Sequence, residues 1–305
     1  MPNFRRKFRR AKTRILHVIN SFHLLKSDSS QFKIRHFSTR DISRATFGHS
    51  LILGEDSNGN IYKAQFSDGL IATVRKAAPT ESRSRSSFYR EVEYLSRLHH
   101  RYLVELRGFS DSHDDRFLVF DYMENGSLKD WLHDPLKTPL DWRTRLHIAI
   151  SVAAALEYLM FFSNPPAIMT KDFSIASTNV FLDDNLMAKI CHVGGSVGSG
   201  SGTTPSRFCG EDVMFQYGVL LLELITGQSF ESEGEDLMKW IQDTRFSSEI
   251  QKMVDSDLGE NYDFGEVRCL LNIARLCTSI TKDGDQPKIS IRQILRYLQN
   301  RLVES

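Results

Sequence analysis

The chain has 305 residues, 41% hydrophobic content and a formal net charge of +1 at pH 7, enough for one two-lobed domain plus a tail and for a sizeable core. No run of 18 apolar residues occurs and no charged n-region followed by an apolar h-region opens the chain, so neither a membrane span nor a secretory leader is expected. Cys191, Cys209, Cys269 and Cys277 lack metal-ligand spacing and are expected to be reduced thiols in a cytosolic or nuclear setting.

The small net charge hides an asymmetry. Residues 1–40 hold 11 Lys or Arg against the single acid Asp28, which leaves 28 bases and 37 acids in residues 41–305, a body charge of −9. A basic arm on an acidic body is drawn to anionic surfaces. Phe4, Phe8, Ile15, Leu16, Val18 and Ile19 are interspersed among those bases, so residues 1–20 suit an anionic leaflet, at about 1 kcal/mol per basic residue. Position 2 is proline and the arm has no cysteine, which removes myristoylation and palmitoylation there. A solvated, disordered extension over 1–40 is the plainer expectation; nuclear or organelle targeting stays open.

Leu51–Ala64 alternates around Gly54 and Gly59, as a glycine-rich hairpin does. Leu70–Arg75 is a short β-run after Asp68-Gly69. Phe88, Val92, Leu95 and Leu98 have helical spacing, and strands are predicted at Leu103–Leu106 and Arg116–Asp121. From Asp141 the pattern turns helical, with an apolar helix through Leu146, Ile150, Ala153 and Leu156. Val219–Ile225 is apolar on nearly every side, as a fully buried helix is. Apolar residues at 291, 294, 295 and 298 close the domain. The expected fold class is α+β and bilobal, with a five-stranded small lobe over 41–123 and a mainly helical large lobe over 124–305.

Three runs carry a family resemblance. Phe117-Leu-Val-Phe-Asp-Tyr-Met-Glu-Asn-Gly-Ser-Leu128 resembles the hinge of plant receptor-like and receptor-like cytoplasmic protein kinases. Asn179-Val-Phe-Leu-Asp-Asp-Asn-Leu-Met-Ala-Lys-Ile-Cys-His192 resembles, without a gap, the run from the catalytic-loop asparagine to the D-F-G aspartate. Asp212-Val-Met-Phe-Gln-Tyr-Gly-Val-Leu-Leu-Leu-Glu-Leu-Ile-Thr-Gly227 resembles the buried αF helix. The resemblance covers roughly residues 37 to 300 and implies a protein-kinase-like fold. What it implies for the chemistry is loss.

Where active relatives carry G-x-G-x-x-G to let backbone approach the nucleotide phosphates, this chain has Gly54-Glu55-Asp56-Ser57-Asn58-Gly59. Asp56 and Glu55 repel a triphosphate, though the same residues also make an ordinary tight turn. The position of the β3 lysine is Arg75, whose planar fork is unlike an ammonium. It is expected to form a structural, lobe-bridging ion pair with Glu91, the match to the αC glutamate. Thr73 stands where a small alanine roofs the adenine and shares a face with Arg75 by alternation, while Ile61 and Leu182 match apolar walls of that slot.

The catalytic base position, five before Asn179, is Ser174; a second alignment supplies Asp172 two residues too early, with Ile175 or Ala176 at the lysine position. Either way phosphoryl transfer loses its positioned base. At the D-F-G aspartate stands His192, a poor partner for magnesium; a histidine–zinc site finds no supporting cluster. Only 17 residues separate Gly194 from Asp212, so the activation segment is shortened, and Gly195–Pro205 reads as a linker. Neither A-P-E nor its arginine partner is present; Gln286 takes the latter's place.

The resemblance therefore implies a pseudokinase: a scaffold or adaptor in receptor-proximal plant signalling whose partner is a receptor kinase or another kinase domain. No metal and no cofactor is expected, ATP at most as a weak structural ligand, and no specific nucleic acid. It is expected in the cytoplasm, peripheral at the plasma membrane or nuclear. Two alternatives stand beside it: a weak, atypical ATP-dependent Ser/Thr kinase using Asp172 and Asn179, and a decaying or mis-spliced kinase product.

Overall fold

The computed structural model describes residues 34–56, 59–77, 85–112, 115–163, 175–191, 212–243, 246–279 and 289–304. The chain forms two compact units: one holds the described residues up to His99 together with Glu105–Tyr122, the other His100–Val104 and everything from Met123.

The first unit is built on a sheet of order β1-β5-β6-β4-β3-β2, with β1 Arg35–His36, β2 Ile52–Asp56, β3 Gly59–Gln65, β4 Ile71–Lys76, β5 Leu106–Asp111 and β6 Arg116–Asp121. All pairs are antiparallel except β1 with β5, where Arg35 lies opposite Gly108 and His36 opposite Phe109. Among the described residues the expected five strands are six. A Cβ at position 108 would run into the Arg35 carbonyl and the Phe37 ring; glycine there lets a sixth strand lie against β5. Helix α1 (Thr39–Ala45) follows, opened by a capping box in which Ser38 Oγ accepts from the Asp41 amide at 3.1 Å and Asp41 Oδ2 accepts from the Ser38 amide at 3.1 Å. Two orphan amides at the helix start are thereby satisfied. Residues 34–40, assigned to the basic extension from the sequence, thus begin the folded unit, and Phe37 is buried in its core.

That core lies on one face of the sheet, where Ala64, Ala72, Val74, Phe117 and Val119 pack with Phe37, Ile42, Ala45 and Phe66. Helix α2 (Arg85–Leu95) buries Phe88, Val92 and Leu95, the positions its spacing predicts. The strand expected at Leu103–Leu106 is displaced. Leu103 is buried in the second unit, bridging to Ile190, and β5 starts at Leu106. The two leucines divide between two cores, so their local spacing misled.

The second unit comprises α3 (Leu128–His133), α4 (Trp142–Phe161), the hairpin β7 (Val180–Leu182) and β8 (Ala188–Ile190), α5 (Asp212–Thr226), α6 (Phe230–Gln242), α7 (Phe246–Met253), a 3-10 turn at Ser256–Leu258, α8 (Phe264–Thr278) and α9 (Ile291–Glu304). Among the described residues α4 is the one helix long and apolar enough to cross a membrane. It packs on α5, α9 and β8, with Leu146, Val152, Ala153, Leu156 and Leu159 fully enclosed, which makes it the core helix of the unit. In α5, Leu220 to Ile225 are all buried, Glu223 included, and Ile291, Ile294, Leu295 and Leu298 are buried on α9 as the spacing predicts.

Candidate functional site

In the first unit β2 and β3 pair antiparallel across the glycine-rich stretch, with a register shift between Ile52 and Gly54. The β2–β3 ladder runs through Gly54↔Ile61 and Glu55↔Asn60 to close on Asp56↔Gly59. Gly59 has φ +121°, a conformation that side chains rarely tolerate. Glycine at 59 is thus required by the backbone whether or not a phosphate ever approaches.

On β4, Ala72 and Val74 point into the core, so Thr73 and Arg75 share the opposite face. Thr73 lies opposite Lys63 and Phe120, and Arg75 opposite Ile61 and Leu118. Phe120, which sequence reasoning did not single out, therefore stands beside Thr73 and narrows the same face. Arg75 is only 5% exposed. A guanidinium so deeply buried needs a counter-charge. Helix α2 covers this face: the Arg116 guanidinium, on the Leu118 and Phe120 side of β6, lies 5.7 Å from the Phe88 ring centroid. Glu91, half-buried, is one turn beyond Phe88 on that helix. Arg75 and Glu91 belong to the same unit, so a pair between them braces that unit internally and is not lobe-bridging.

A second tie to α2 was not foreseen. Asp111, at the end of β5, has a side chain 1% exposed. Its carboxylate accepts from Arg85 Nε at 2.8 Å and Tyr89 Oη at 2.8 Å, with Arg85 Nη2 at 2.6 Å and Arg116 Nε at 3.3 Å. Two cations and a phenol satisfy the buried carboxylate. Desolvation, aided by the hydrogen bond to Asp111, pushes the Tyr89 phenol above its ordinary value. The first two turns of α2 are thereby tied to the sheet by residues of this chain alone.

In the second unit Asn179 is buried and held by backbone: its amide donates to Ala176 O at 2.9 Å and its carbonyl accepts from the Cys191 amide at 2.9 Å. Leu182 is fully buried on β7, and its amide donates to Gly126 O at 3.0 Å. Gln216 on α5 accepts from the Ile175 amide at 2.7 Å, tying the segment before Asn179 to the core helix. Asp172, Ser174 and His192 lie outside the described residues, as do the linker 195–205 and Gln286. The described residues contain no group of three His, Cys, Asp or Glu able to hold a metal ion.

The profile of the protein tyrosine and serine/threonine kinase family matches residues 49–198. The chain carries a protein kinase domain, and its homologues are plant receptor-like kinases. It is 39% identical over 299 residues to an Arabidopsis thaliana protein described as "Probable receptor-like protein kinase At1g49730", a match over 89% of this chain and 44% of that protein. Calcium/calmodulin-regulated receptor-like kinase 1 of the same plant is 32% identical over 81% of this chain and 59% of its own length. The chain thus spans less than two thirds of these relatives. Among solved structures, the pseudokinase domain of BIR2, an immune regulator of the RLK/Pelle family, superposes with a TM-score of 0.72 at 24% identity, covering 91% of this chain and 89% of that one. The GRMZM2G135359 pseudokinase gives 0.72 at 23% identity, covering 90% and 95%. At these identities the likeness establishes the fold.

Proposed function

We propose that this protein is a catalytically inactive kinase-fold scaffold or adaptor that works by binding other proteins in plant receptor-proximal signalling, in the cytoplasm. The observation that carries the reading is Arg75. Its side chain is buried at the position where the family resemblance places a phosphate-binding lysine, which suits a bracing role with Glu91. Asp56, Ser174 and His192 depart from the same chemistry at the turn, the base and the metal position. Among the described residues both units keep buried apolar cores, and a scaffold needs only that. The solved pseudokinases show that this fold accommodates inactive members; fold alone does not assign function.

The proposed partner is a receptor kinase or other kinase domain, with residues 1–20 adding attraction to an anionic membrane surface. No metal and no cofactor takes part, and ATP is at most a weak structural ligand. Co-precipitation from plant extract tests the binding role: the purified chain is expected to recover kinase-domain proteins, and recovery of none contradicts it. Magnesium- or manganese-dependent ATP turnover abolished by Asp172→Ala would instead establish an atypical phosphotransferase.

A further inference from the structure

Helix α1 lies on the core face of the sheet with Ile42 and Ala45 turned inward. Arg40 and Arg44, one turn apart and opposite Ile42 around the helix, are exposed on its outer side. Asp41, the acid of this helix, is engaged in the cap, where its carboxylate accepts from the Ser38 amide at 3.1 Å and from Ser38 Oγ at 2.7 Å. The outer side of α1 is therefore cationic.

The turn that follows is strained and firmly held. Phe47, Gly48 and His49 take φ of +51°, +69° and +66° in succession, a region that bulky side chains rarely tolerate. The Gly48 amide donates to Ser43 O at 2.7 Å, the Ser50 amide to Thr46 O at 3.1 Å and Ser50 Oγ to Phe47 O at 2.9 Å. The His49 ring meets Tyr62 edge-on, centroids 5.1 Å apart, and stacks on Phe117 at 5.7 Å, which fastens the turn to β3 and the core. Phe47 is held outward, 64% exposed. Strain of this kind concentrates at contact and clamp sites, and here it gains the ring no burial. Ile52 lies opposite Tyr62, so its side chain is on the α1 face of the sheet, and it is 55% exposed. Glu55, opposite Asn60 on that face, bounds the patch.

We propose that Arg40, Arg44, Phe47 and Ile52 form a docking surface for an anionic membrane, the arginines meeting lipid headgroups and the two apolar side chains entering the interface. Basic residues on one side of an exposed aromatic and aliphatic pair are the pattern of interfacial membrane contact. The stretch that leads into α1, residues 1–33, is itself rich in Lys and Arg, so one anionic leaflet attracts both. The inference rests on the membrane attraction proposed for residues 1–20 and adds a folded contact to it. A basic segment alone binds weakly and reversibly, and stable attachment takes a second contact.

Binding of the full chain to vesicles of equimolar phosphatidylserine and phosphatidylcholine tests this, with pure phosphatidylcholine as the control. Arg40→Gln/Arg44→Gln is expected to weaken binding about thirtyfold. Phe47→Asn, which suits a positive φ, is expected to weaken it about tenfold while unfolding at no lower a temperature than the parent. In Phe47→Trp, the fluorescence added by the new indole is expected to be quenched by brominated phospholipid. Parent-strength binding by the first two variants, with no quenching of the third, shows that residues 1–20 bind alone; it overturns the proposal and leaves the attraction of the arm standing. Quenching and binding that survive neutralisation of Arg5, Arg6, Lys7, Arg9 and Arg10 remove the arm's part and support the folded surface. Absence of binding by the parent overturns both. An emission shift in Phe47→Trp that grows with protein concentration without lipid assigns the patch to a second copy of the chain and overturns the proposal too.

Discussion

Arg145 is the most consequential single side chain in the second unit. It is 2% exposed on α4, donates from Nε to Leu140 O at 2.9 Å and from Nη1 to Leu224 O at 3.0 Å, and pairs with Asp255 at 2.7 Å. Removing one partner of a buried ion pair leaves an uncompensated charge and costs about 3–5 kcal/mol. Asp255→Ala is therefore expected to lower the urea-unfolding free energy by about that much, and adding Arg145→Met to lower it no further. An additive double variant contradicts a buried charge pair. The pH dependence belongs to this scale as well. Burial holds His100, stacked on Tyr158 at 5.0 Å, below its ordinary value near 6.5, and the hydrogen bond from Thr144 holds Asp141 below its ordinary 3.8. Each group binds fewer protons folded than unfolded, so its stabilisation is complete above its unfolded value and lost as pH falls through the folded one. Chemical denaturation should show stability declining as pH drops below about 6.5 through His100, with a second loss below about 4 through Asp141. His100→Phe should remove the first decline alone. Arg145 was invisible beforehand because a lone arginine in an apolar helix carries no spacing signal and its partner arrives from a distant turn. Arg75 could be singled out from the sequence because it lies in the short β-run after Asp68-Gly69, and its burial is what the structure adds.

At the scale of elements, helices that bury one stripe or every side were readable from period alone. Phe88-Val92-Leu95 on α2 and Ile291-Ile294-Leu295-Leu298 on α9 are buried as spaced. Strand β1 was not readable, since two residues make no period and their pairing depends on Gly108 far along the chain. Gly108→Ala is expected to displace β1, exposing Phe37 and speeding exchange of its amide, which donates to Phe109 O at 2.9 Å; unchanged exchange contradicts the steric account. The Asp111 tie was equally hidden, because its donors converge only once α2 is laid on the sheet. Asp111→Ala should cost roughly 1–3 kcal/mol, the scale of buried groups losing a charged partner, and speed amide exchange in α2 selectively. Uniform acceleration across the first unit would show that the carboxylate supports the whole sheet and not this helix.

For the whole molecule, both units have buried apolar cores among the described residues, and the sequence departs from the family's motifs at Asp56, Arg75, Ser174 and His192. Family-like runs made the fold legible, because they hold register across long ordered motifs, whereas Asp172, Ser174 and His192 lie outside the described residues. Six strands in place of five, and a folded unit beginning before residue 40, are tertiary facts: they follow from close approach at Gly108 and from the burial of Phe37. The proposed scaffold role requires that the kinase-type site hold no metal–nucleotide complex. Thermal unfolding of the purified full chain with ATP, alone and with magnesium or manganese, tests this most directly. A ligand at 100 times its dissociation constant stabilises by about 2.7 kcal/mol, which would raise the midpoint visibly. The account predicts cooperative unfolding with no metal-dependent rise; a rise that requires magnesium or manganese would contradict it.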